Sequence, residues 1–370
     1  MEDNKNKLIL FMPSIEGGGV EKNLILIGNY FSKKLKKVSI ITYDKGFISS
    51  FSRRINFISF TIFKRKKVSK YIKYLFCLLL LIKEIKKNKK KLIVLSFQAN
   101  IYAIIICKIF RVSVVTRSNS SPSGWSKNYL KKLIFRKIIS FADNVIVNSK
   151  EFKKELDAKF NANSKLIYNP LNINEIVKKS NNKINFNFFN NSKTLKIINI
   201  ARFTEQKDHL TLLKSFNLVN KVIKSKLLII GYGSNHNEII NYIKKNKLGN
   251  NVKILNFQKN PYKYLRLADI FVLTSKYEGL PNVLLEALTL KKYIISTDCP
   301  TGPKEILNNG EYGTLVKIGD YKTISQNIIN YKKNNSYFAK KVMKGFKSLN
   351  RFDFDKNCGE YYNVVKKYLY

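Results

Sequence analysis

Two carboxylates stand eight residues apart in the stretch YEGLPNVLLEAL (277–288), in a chain with only 24 acidic residues against 69 basic ones. The apolar run 269–275 before them predicts a buried strand. Pro281 suits the first position of a helix, because its missing N–H needs no partner there. We therefore expect Glu278 in a loop at the carboxyl end of a strand and Glu286 in the second helical turn, where both can accept hydrogen bonds from a ligand. Two solvated surface carboxylates are the alternative.

The segment ARFTEQKDHLTLL (201–213) places two cations where a predicted strand gives way to a helix. Arg202 offers a bidentate fork and Lys207 a point charge, and the helix start adds a favourable dipole for an anion. Together they are suited to clamp a diphosphate. In a lysine-rich chain, such a pair taken alone is also typical of an ordinary basic surface.

Glycines follow two further predicted strands, in SIEGGGVEKNL (14–24) and in IIGYGSN (229–235). Glycine allows the backbone to approach a phosphate closely at the start of a helix. Plain tight turns are the alternative, because neither stretch has the full GxGxxG spacing. The glycines that we expect near a phosphate-bearing ligand are Gly18, Gly19, Gly231 and Gly233.

Short apolar runs alternate with segments of helical period along the chain, which is the pattern of α/β layers with parallel sheets. We predict two Rossmann-like domains, at 1–176 and 195–349, with a polar linker or insert at 177–194 between them. A C-terminal helix at 350–370 is expected to cross back to the first domain. Ligands of open parallel sheets bind beyond the carboxyl ends of the strands, so a cleft between the domains is the expected site.

The net charge of +45 permits a nucleic-acid-binding function, which would depend on salt and not on Glu278. The excess of positive charge, however, comes from lysines dispersed over the whole length of the chain. Dispersed charge favours a solvated basic surface. We expect anionic partners such as nucleotides, lipid diphosphates and phospholipid headgroups, and no nucleic acid.

No metal site is expected. The four cysteines are scattered without a CxxC pair, which also favours a reducing compartment. The D-x-D spacing of Asp353 and Asp355 lies away from any predicted nucleotide-binding strand. The two histidines, His209 and His236, stand at predicted helix starts and are expected to be surface or capping residues.

No signal peptide precedes the first predicted strand, and the longest apolar run, 75–82, is far shorter than the ~20 residues of a spanning helix. We expect a cytoplasmic protein that is soluble or peripheral on the inner face of the membrane. Segment 60–91 joins the apolar run to lysine clusters on both sides. It fits either a core helix with a basic solvated face or docking on an anionic membrane.

In this order, the motifs resemble those of the retaining family 4 glycosyltransferases (glycosyl transferases group 1). That family has the GT-B fold, with two Rossmann-like domains facing across a central cleft. Glu278 and Glu286 match its Glu-x7-Glu motif, and ARFTEQKD matches its G-R-x-x-x-Q-K-G segment. The resemblance covers nearly the whole chain and is strongest over 195–320. The chain departs from the family pattern at loop positions: Ala201, Asp208, Asn256 and Lys291-Lys292.

The resemblance implies a role for each motif residue. Arg202 and Lys207 would bind the diphosphate of the donor, Glu286 would accept hydrogen bonds from the ribose, and Glu278 would contact the transferred sugar near the reaction centre. The acceptor-side segment TRSNSSPSGW (116–125) lacks the histidine of many relatives, and its polar candidates are Arg117 and Asn119. The wider donor site would comprise Gly18, Gly19, Gly231, Gly233, Gly279, Leu280, Asn282, Gly302 and Glu305.

The function implied by the resemblance is transfer of a hexose or N-acetylhexosamine, with retention, from a nucleotide diphosphate sugar to a lipid-linked or surface-polysaccharide acceptor. UDP is the expected nucleotide. No metal cofactor is implied, since the Arg–Lys clamp would stabilise the charge of the leaving diphosphate. A sugar-nucleotide epimerase on the same fold is the alternative, and it would isomerise the donor without an acceptor.

Overall fold

Parallel strands alternate with helices throughout the computed structural model, which describes residues 7–60, 68–88, 91–119 and 129–369. The chain divides into two compact units. The first unit comprises Met1–Pro170 and Phe354–Tyr370, and the second comprises Leu171–Asp353. The predicted pair of Rossmann-like domains is therefore confirmed, and each is described below by itself.

The first unit is built on a parallel sheet covered on both faces by helices. Its strands are β1 (Lys7–Phe11), β2 (Val38–Ile41), β3 (Ile55–Ile58), β4 (Leu92–Ser96), β5 (Ser113–Arg117), β6 (Asn144–Val147) and β7 (Ser164–Leu166). Its helices are α1 (Gly19–Lys34), α2 (Lys70–Lys87), α3 (Asn100–Ile109), α4 (Tyr129–Ile139), α5 (Lys150–Phe160) and α14 (Phe354–Lys366). The strand order is β3-β2-β1-β4-β5-β6-β7, so the order reverses between β1 and β4.

The alternate side chains of β1 separate two hydrophobic cores. Leu8 and Leu10 pack with α1 and α14 on one face of the sheet, and Ile9 and Phe11 pack with α2 and α3 on the other. Because both faces are buried, the strand reads as a continuous apolar run instead of an alternating one. Helix α14 therefore belongs to the first unit, which confirms that the C-terminal helix returns to the N-terminal domain.

Arg117, predicted as an acceptor-side residue, lies in this interior and is 0% exposed. Its Nε donates to Tyr361 Oη at 2.8 Å and its Nη2 donates to Asn169 Oδ1 at 2.6 Å. The guanidinium also lies 5.7 Å from the ring centre of Phe97. The described geometry contradicts the acceptor assignment, because the side chain holds α14 against the sheet and presents nothing to solvent.

Replacing Tyr361 by Phe should lower the free energy of unfolding by about 1–3 kcal/mol, because it leaves a buried donor of Arg117 without its acceptor. Chemical denaturation followed by circular dichroism measures the change. Tyr362→Phe is the matched control. Tyr362 packs beside Phe31, and its hydroxyl makes no hydrogen bond among the described residues. Equal losses in the two variants would contradict the role given to the Arg117 contact.

The second unit repeats the pattern with a smaller sheet. Its strands are β8 (Leu195–Ile200), β9 (Ser225–Ile230), β10 (Val252–Leu255), β11 (Ile270–Leu273), β12 (Tyr293–Thr297) and β13 (Thr314–Val316). Its helices are α6 (Ile173–Ser180), α7 (His209–Val222), α8 (His236–Lys245), α9 (Tyr262–Leu265), α10 (Asn282–Thr289), α11 (Pro303–Ile306), α12 (Tyr321–Lys333) and α13 (Asn335–Lys347). The order β10-β9-β8-β11-β12-β13 reverses between β8 and β11. Loops diverge at such a switch point and leave room for a ligand.

The segment 177–194, predicted as a linker or insert, is an ordered part of the second unit. Phe186 and Phe189 are buried, and the ring of Phe186 meets that of Tyr264 edge-on at 5.2 Å. Asn260 Nδ2 also donates to the carbonyl of Lys179 at 2.9 Å. The polar composition predicts a linker or insert, and the phenylalanines of this segment supply the apolar surface that packs it within the second unit.

Candidate functional site

Three predicted donor-site residues of the second unit gather at the carboxyl ends of β8 and β11, where the strand order reverses. Arg202 and Lys207 lie in the loop between β8 and α7, and Glu278 lies in the loop between β11 and α10. Lys276 N donates to the carbonyl of Gln206 at 2.8 Å, which joins the two loops through their backbones. The sheet thus positions the Arg–Lys segment beside the first carboxylate of the Glu-x7-Glu motif.

Lys207 and Glu278 form an ion pair in which Nζ contacts Oε1 directly, with the two side chains 14% and 7% exposed. Ser275 Oγ donates to the same carboxylate oxygen at 2.6 Å. A buried charge is costly unless a partner and hydrogen bonds compensate it, and here both are present. The carboxylate is therefore held in one position at the edge of the sheet, where it can orient a ligand.

A second loop contact fixes the backbone around Glu278. Thr301 Oγ1 donates to the carbonyl of Glu278 at 2.5 Å, and Glu278 N donates to the carbonyl of Pro300 at 3.3 Å. Gly302 has φ +86°, and a Cβ at this residue would lie 1.9 Å from the carbonyl oxygen of Gly279. Only a glycine permits this approach of the loops after β11 and β12.

Glu286 lies in the second turn of α10, as predicted, and is 3% exposed. Its Oε1 accepts a hydrogen bond from Tyr262 Oη at 3.2 Å. Pro281 precedes the helix as its N-cap residue, and Asn282 takes the first helical position instead. Leu280 is buried, and Glu305 is the third residue of α11, whose N-cap residue is Gly302.

Arg202 is exposed, whereas its neighbour Phe203 is fully buried. The glycines after β9 pack against the backbone of this loop. A Cβ at Gly231 would lie 1.9 Å from the carbonyl oxygen of Ala201, and one at Gly233 would lie 2.3 Å from that of Phe203. These glycines therefore position the loop that carries Arg202, a role that their sequence pattern did not reveal. Their predicted contact with the donor stays a prediction.

His209 is neither a surface nor a capping residue, because it is 3% exposed and Asp208 is the N-cap residue of α7. Its ring meets Phe203 edge-on at 5.1 Å, and His236 stacks on the same phenylalanine at 5.8 Å. Burial and the nearby charge of Lys207 lower the pKa of His209 to about 4, so it is neutral at physiological pH. The position of His209 at the start of a predicted helix does not indicate that its side chain is buried.

Asp208 replaces a family glycine and takes over the backbone conformation that glycine favours, with φ +45°. Its side chain caps α7, accepting from Thr211 N at 3.2 Å and from Thr211 Oγ1 at 2.7 Å. Lys291, at another departure from the pattern, has φ +53°. Both residues thus adopt the left-handed region that glycine favours, which aspartate tolerates better than lysine does.

In the first unit, the glycine loop lies between β1 and α1. Gly17 has φ +86°, Gly18 is the N-cap residue of α1 and Gly19 is its first residue. Asp44, in the loop after β2, holds the glycine loop in place, because its Oδ2 accepts a hydrogen bond from Ile15 N at 2.9 Å. The predicted contact of this loop with a diphosphate stays a prediction.

A polar network that the sequence did not reveal supports the same loop. Lys73 Nζ pairs with Asp44 Oδ2 at 2.8 Å, and Ser14 N donates to Gln98 Oε1 at 2.9 Å. Ser14, Asp44 and Gln98 follow β1, β2 and β4, which are neighbours in the sheet, and Lys73 reaches them from α2. The acceptor-side candidate Asn119 donates to the carbonyl of Phe97 at 2.7 Å, while 120–125 of the same predicted segment lie outside the described residues.

No group of three or more His, Cys, Asp or Glu residues is placed to hold a metal ion within the part of the chain that the structure describes. Over the same residues, no helix has the length and apolar character needed to cross a membrane.

The two doubly wound parallel sheets define the GT-B class of folds. The crystal structure of Anabaena Alr3699/HepE in complex with UDP and glucose matches 98% of this chain and 99% of its own, with a TM-score of 0.78 and 17% identity. The chain belongs to the group 1 glycosyltransferases of the family 4 type. The Glycosyltransferase Family 4 model matches residues 17–175, and the Glycosyl transferases group 1 model matches residues 180–346.

Two curated relatives are similar to this chain. The uncharacterized glycosyltransferase MJ1059 of Methanocaldococcus jannaschii is 35% identical over 58% of this chain and 59% of its own length. The N-acetylgalactosamine-N,N'-diacetylbacillosaminyl-diphospho-undecaprenol 4-alpha-N-acetylgalactosaminyltransferase of Campylobacter jejuni is 27% identical over 61% of this chain and 63% of its own length. The chain thus spans about three fifths of the length of the curated relatives that it matches.

Proposed function

We propose that the protein transfers a hexose or N-acetylhexosamine from a nucleotide diphosphate sugar, with UDP as the nucleotide, to a lipid-linked or surface-polysaccharide acceptor. The observation that carries the proposal is the buried Lys207–Glu278 pair at the switch point of the second sheet, beside the exposed Arg202. A cation for the diphosphate and a carboxylate for the sugar are thereby held next to each other.

The leaving diphosphate gains negative charge as the bond to the sugar breaks, and stabilising that charge is the main task of the site. Arg202 is exposed and can meet two phosphate oxygens with its planar fork. Lys207 can approach a phosphate while its ion pair with Glu278 keeps it oriented. We propose that these two cations make the reaction independent of a metal ion.

Glu278 and Glu286 serve different parts of the donor in this proposal. Glu278 is placed by Lys207 and Ser275, and it contacts the transferred sugar near its anomeric carbon. Glu286, on the adjoining helix α10, accepts hydrogen bonds from the ribose. We infer retention of configuration by attack on the same face that the diphosphate leaves, and proton NMR of the first product formed tests it.

The acceptor class is inferred from the relatives. The name of the Campylobacter relative specifies a diphospho-undecaprenol-linked saccharide acceptor and an alpha linkage. Transfer assays with a panel of UDP-sugars and a polyprenyl diphosphate-linked saccharide test the proposal directly. Hydrolysis or isomerisation of the donor, with no transfer to any acceptor in the panel, would contradict it.

Arg202→Ala should weaken the binding of UDP by about 10- to 100-fold, because a charge-assisted contact with the diphosphate is lost. Titration calorimetry with UDP, in buffer with a metal chelator, measures the dissociation constant. Arg266→Ala is the matched control, since Arg266 is also exposed but precedes β11 instead of following β8. Unchanged UDP affinity in Arg202→Ala would exclude this residue from the diphosphate site.

A further inference from the structure

Exposed apolar side chains are concentrated on three neighbouring helices of the first unit. Of the eighteen large hydrophobic residues found exposed in the described part of the chain, nine lie on α2, α3 and α4. These helices have only 18, 10 and 11 residues. We call their nine side chains the α2–α4 surface: Tyr71, Ile72, Leu75, Leu79, Tyr102, Ile105, Ile109, Leu133 and Ile134.

Helix α2 is apolar on both of its sides. Cys77, Leu81 and Ile85 are buried against the sheet, whereas Tyr71 and Leu75 on the outward side are 78% and 59% exposed. A helix at the surface of a soluble protein normally turns a polar face to water. The described part of segment 60–91 is therefore a core helix whose outward face is apolar at its centre and carries exposed lysines toward its ends.

The three helices form one continuous layer on the same side of the sheet. Helix α3 contacts α2 and α4, and the rings of Tyr74 and Tyr102 lie 6.4 Å apart across the first of these contacts. Ile109 on α3 is 70% exposed. Large contiguous apolar patches on a protein surface mark sites of interaction with a partner or a membrane.

The charge of these helices is almost entirely positive. They contain ten lysine and arginine residues and a single carboxylate, that of Glu84. Glu84 is buried and pairs with Lys7 at 2.6 Å, so it does not offset the positive surface. Exposed basic side chains border the apolar ones at Lys70, Lys83, Lys132, Arg136 and Lys137.

We propose that the α2–α4 surface docks on an anionic lipid bilayer. The aliphatic side chains enter the boundary between headgroups and acyl chains, the tyrosines lie at headgroup level, and the bordering lysines meet lipid phosphates. A second copy of the chain does not fit this surface, because it would set one strongly positive face against another. The proposal is independent of the transfer reaction, since it concerns binding in the absence of donor and acceptor.

Flotation with vesicles tests the proposal on the full chain. Binding is expected to vesicles of phosphatidylglycerol and phosphatidylcholine in about equal parts, and it should fall strongly as salt is raised from about 50 mM to about 500 mM. Vesicles of phosphatidylcholine alone should bind at least about tenfold less protein. Absence of binding to the anionic vesicles at low salt would overturn the proposal.

Two test pairs of substitutions, each with a control pair, separate the apolar and charged contributions. Leu75→Ser with Ile109→Ser should lower vesicle binding by about tenfold or more, whereas Val222→Ser with Ile318→Ser, at exposed positions of the second unit, should leave it unchanged. Lys83→Gln with Lys137→Gln should also lower it, and Lys244→Gln with Lys317→Gln is the control of equal charge change.

Equal losses in a test pair and its control pair would overturn the assignment of this surface, because binding would then not depend on where the substitutions lie. A dimer that the Leu75→Ser and Ile109→Ser pair dissociates in analytical ultracentrifugation would assign the surface to a second copy instead. Transfer to a water-soluble acceptor should be unchanged in the surface variants. Failure of vesicle binding is thereby distinguished from failure of the proposed reaction.

Discussion

Replacing Glu278 by Gln should lower the rate of sugar transfer by about 10²- to 10³-fold, the cost of removing one electrostatic group from a reaction centre. The amide keeps the size of the side chain and can still accept the hydrogen bond from Ser275, but it no longer carries the charge that faces the sugar. UDP lacks the sugar, so its affinity should not fall. The amide oxygen can also still accept a hydrogen bond from Lys207 Nζ, so the lysine keeps its orientation toward the phosphates.

Steady-state kinetics and UDP titration of the same preparation measure the two quantities, and circular dichroism verifies that the variant is folded. Glu205→Gln is the control, since Glu205 is 86% exposed and pairs with Lys276 at 3.0 Å in the same region. Normal turnover by Glu278→Gln would remove this residue from the reaction centre. A parallel loss of turnover and UDP affinity would show that the substitution disturbs the whole loop instead.

The main parts of this site could be predicted from the sequence because they are local. Arg202, Lys207 and Glu278 each follow a buried apolar run, and the carboxyl ends of neighbouring parallel strands meet at one edge of a sheet. The Gly-Leu-Pro break before α10 likewise placed Glu286 in the second helical turn. The fold followed from the same alternation of strands and helices.

Other features depend on contacts between distant residues, and the sequence gives no local sign of them. The sequence around Arg117 indicates a polar loop residue. In the structure, however, its Nε donates a buried hydrogen bond to the hydroxyl of Tyr361, 244 positions later. Lys73 lies on α2 and Asp44 in the loop after β2, so the two side chains meet only in the folded domain. The segment 177–194 is rich in asparagine, and the burial of its Phe186 depends on the ring of the distant Tyr264.

Gly302→Ala should lower the free energy of unfolding by about 3–5 kcal/mol, because two separate costs add. The backbone at φ +86° is strained for any residue with a Cβ, and that Cβ would lie 1.9 Å from the carbonyl oxygen of Gly279 and 2.8 Å from the ring of Pro281. Relief of the clash would move the loop that follows Glu278. Transfer activity should therefore fall even at temperatures where the variant is folded.

Two other glycines of the second unit separate these costs. Gly319 has φ +79°, but a Cβ at this residue would have no atom within 4 Å, so Gly319→Ala should cost only the backbone strain of about 1–2 kcal/mol. Gly249 has neither a positive φ nor a neighbour within 4 Å, and Gly249→Ala should change the stability by less than about 0.5 kcal/mol. Denaturation followed by circular dichroism ranks the three variants. If Gly302→Ala is no more costly than Gly319→Ala, the two loops can separate freely, and the close approach of Gly302 to Gly279 does not hold Glu278 in place.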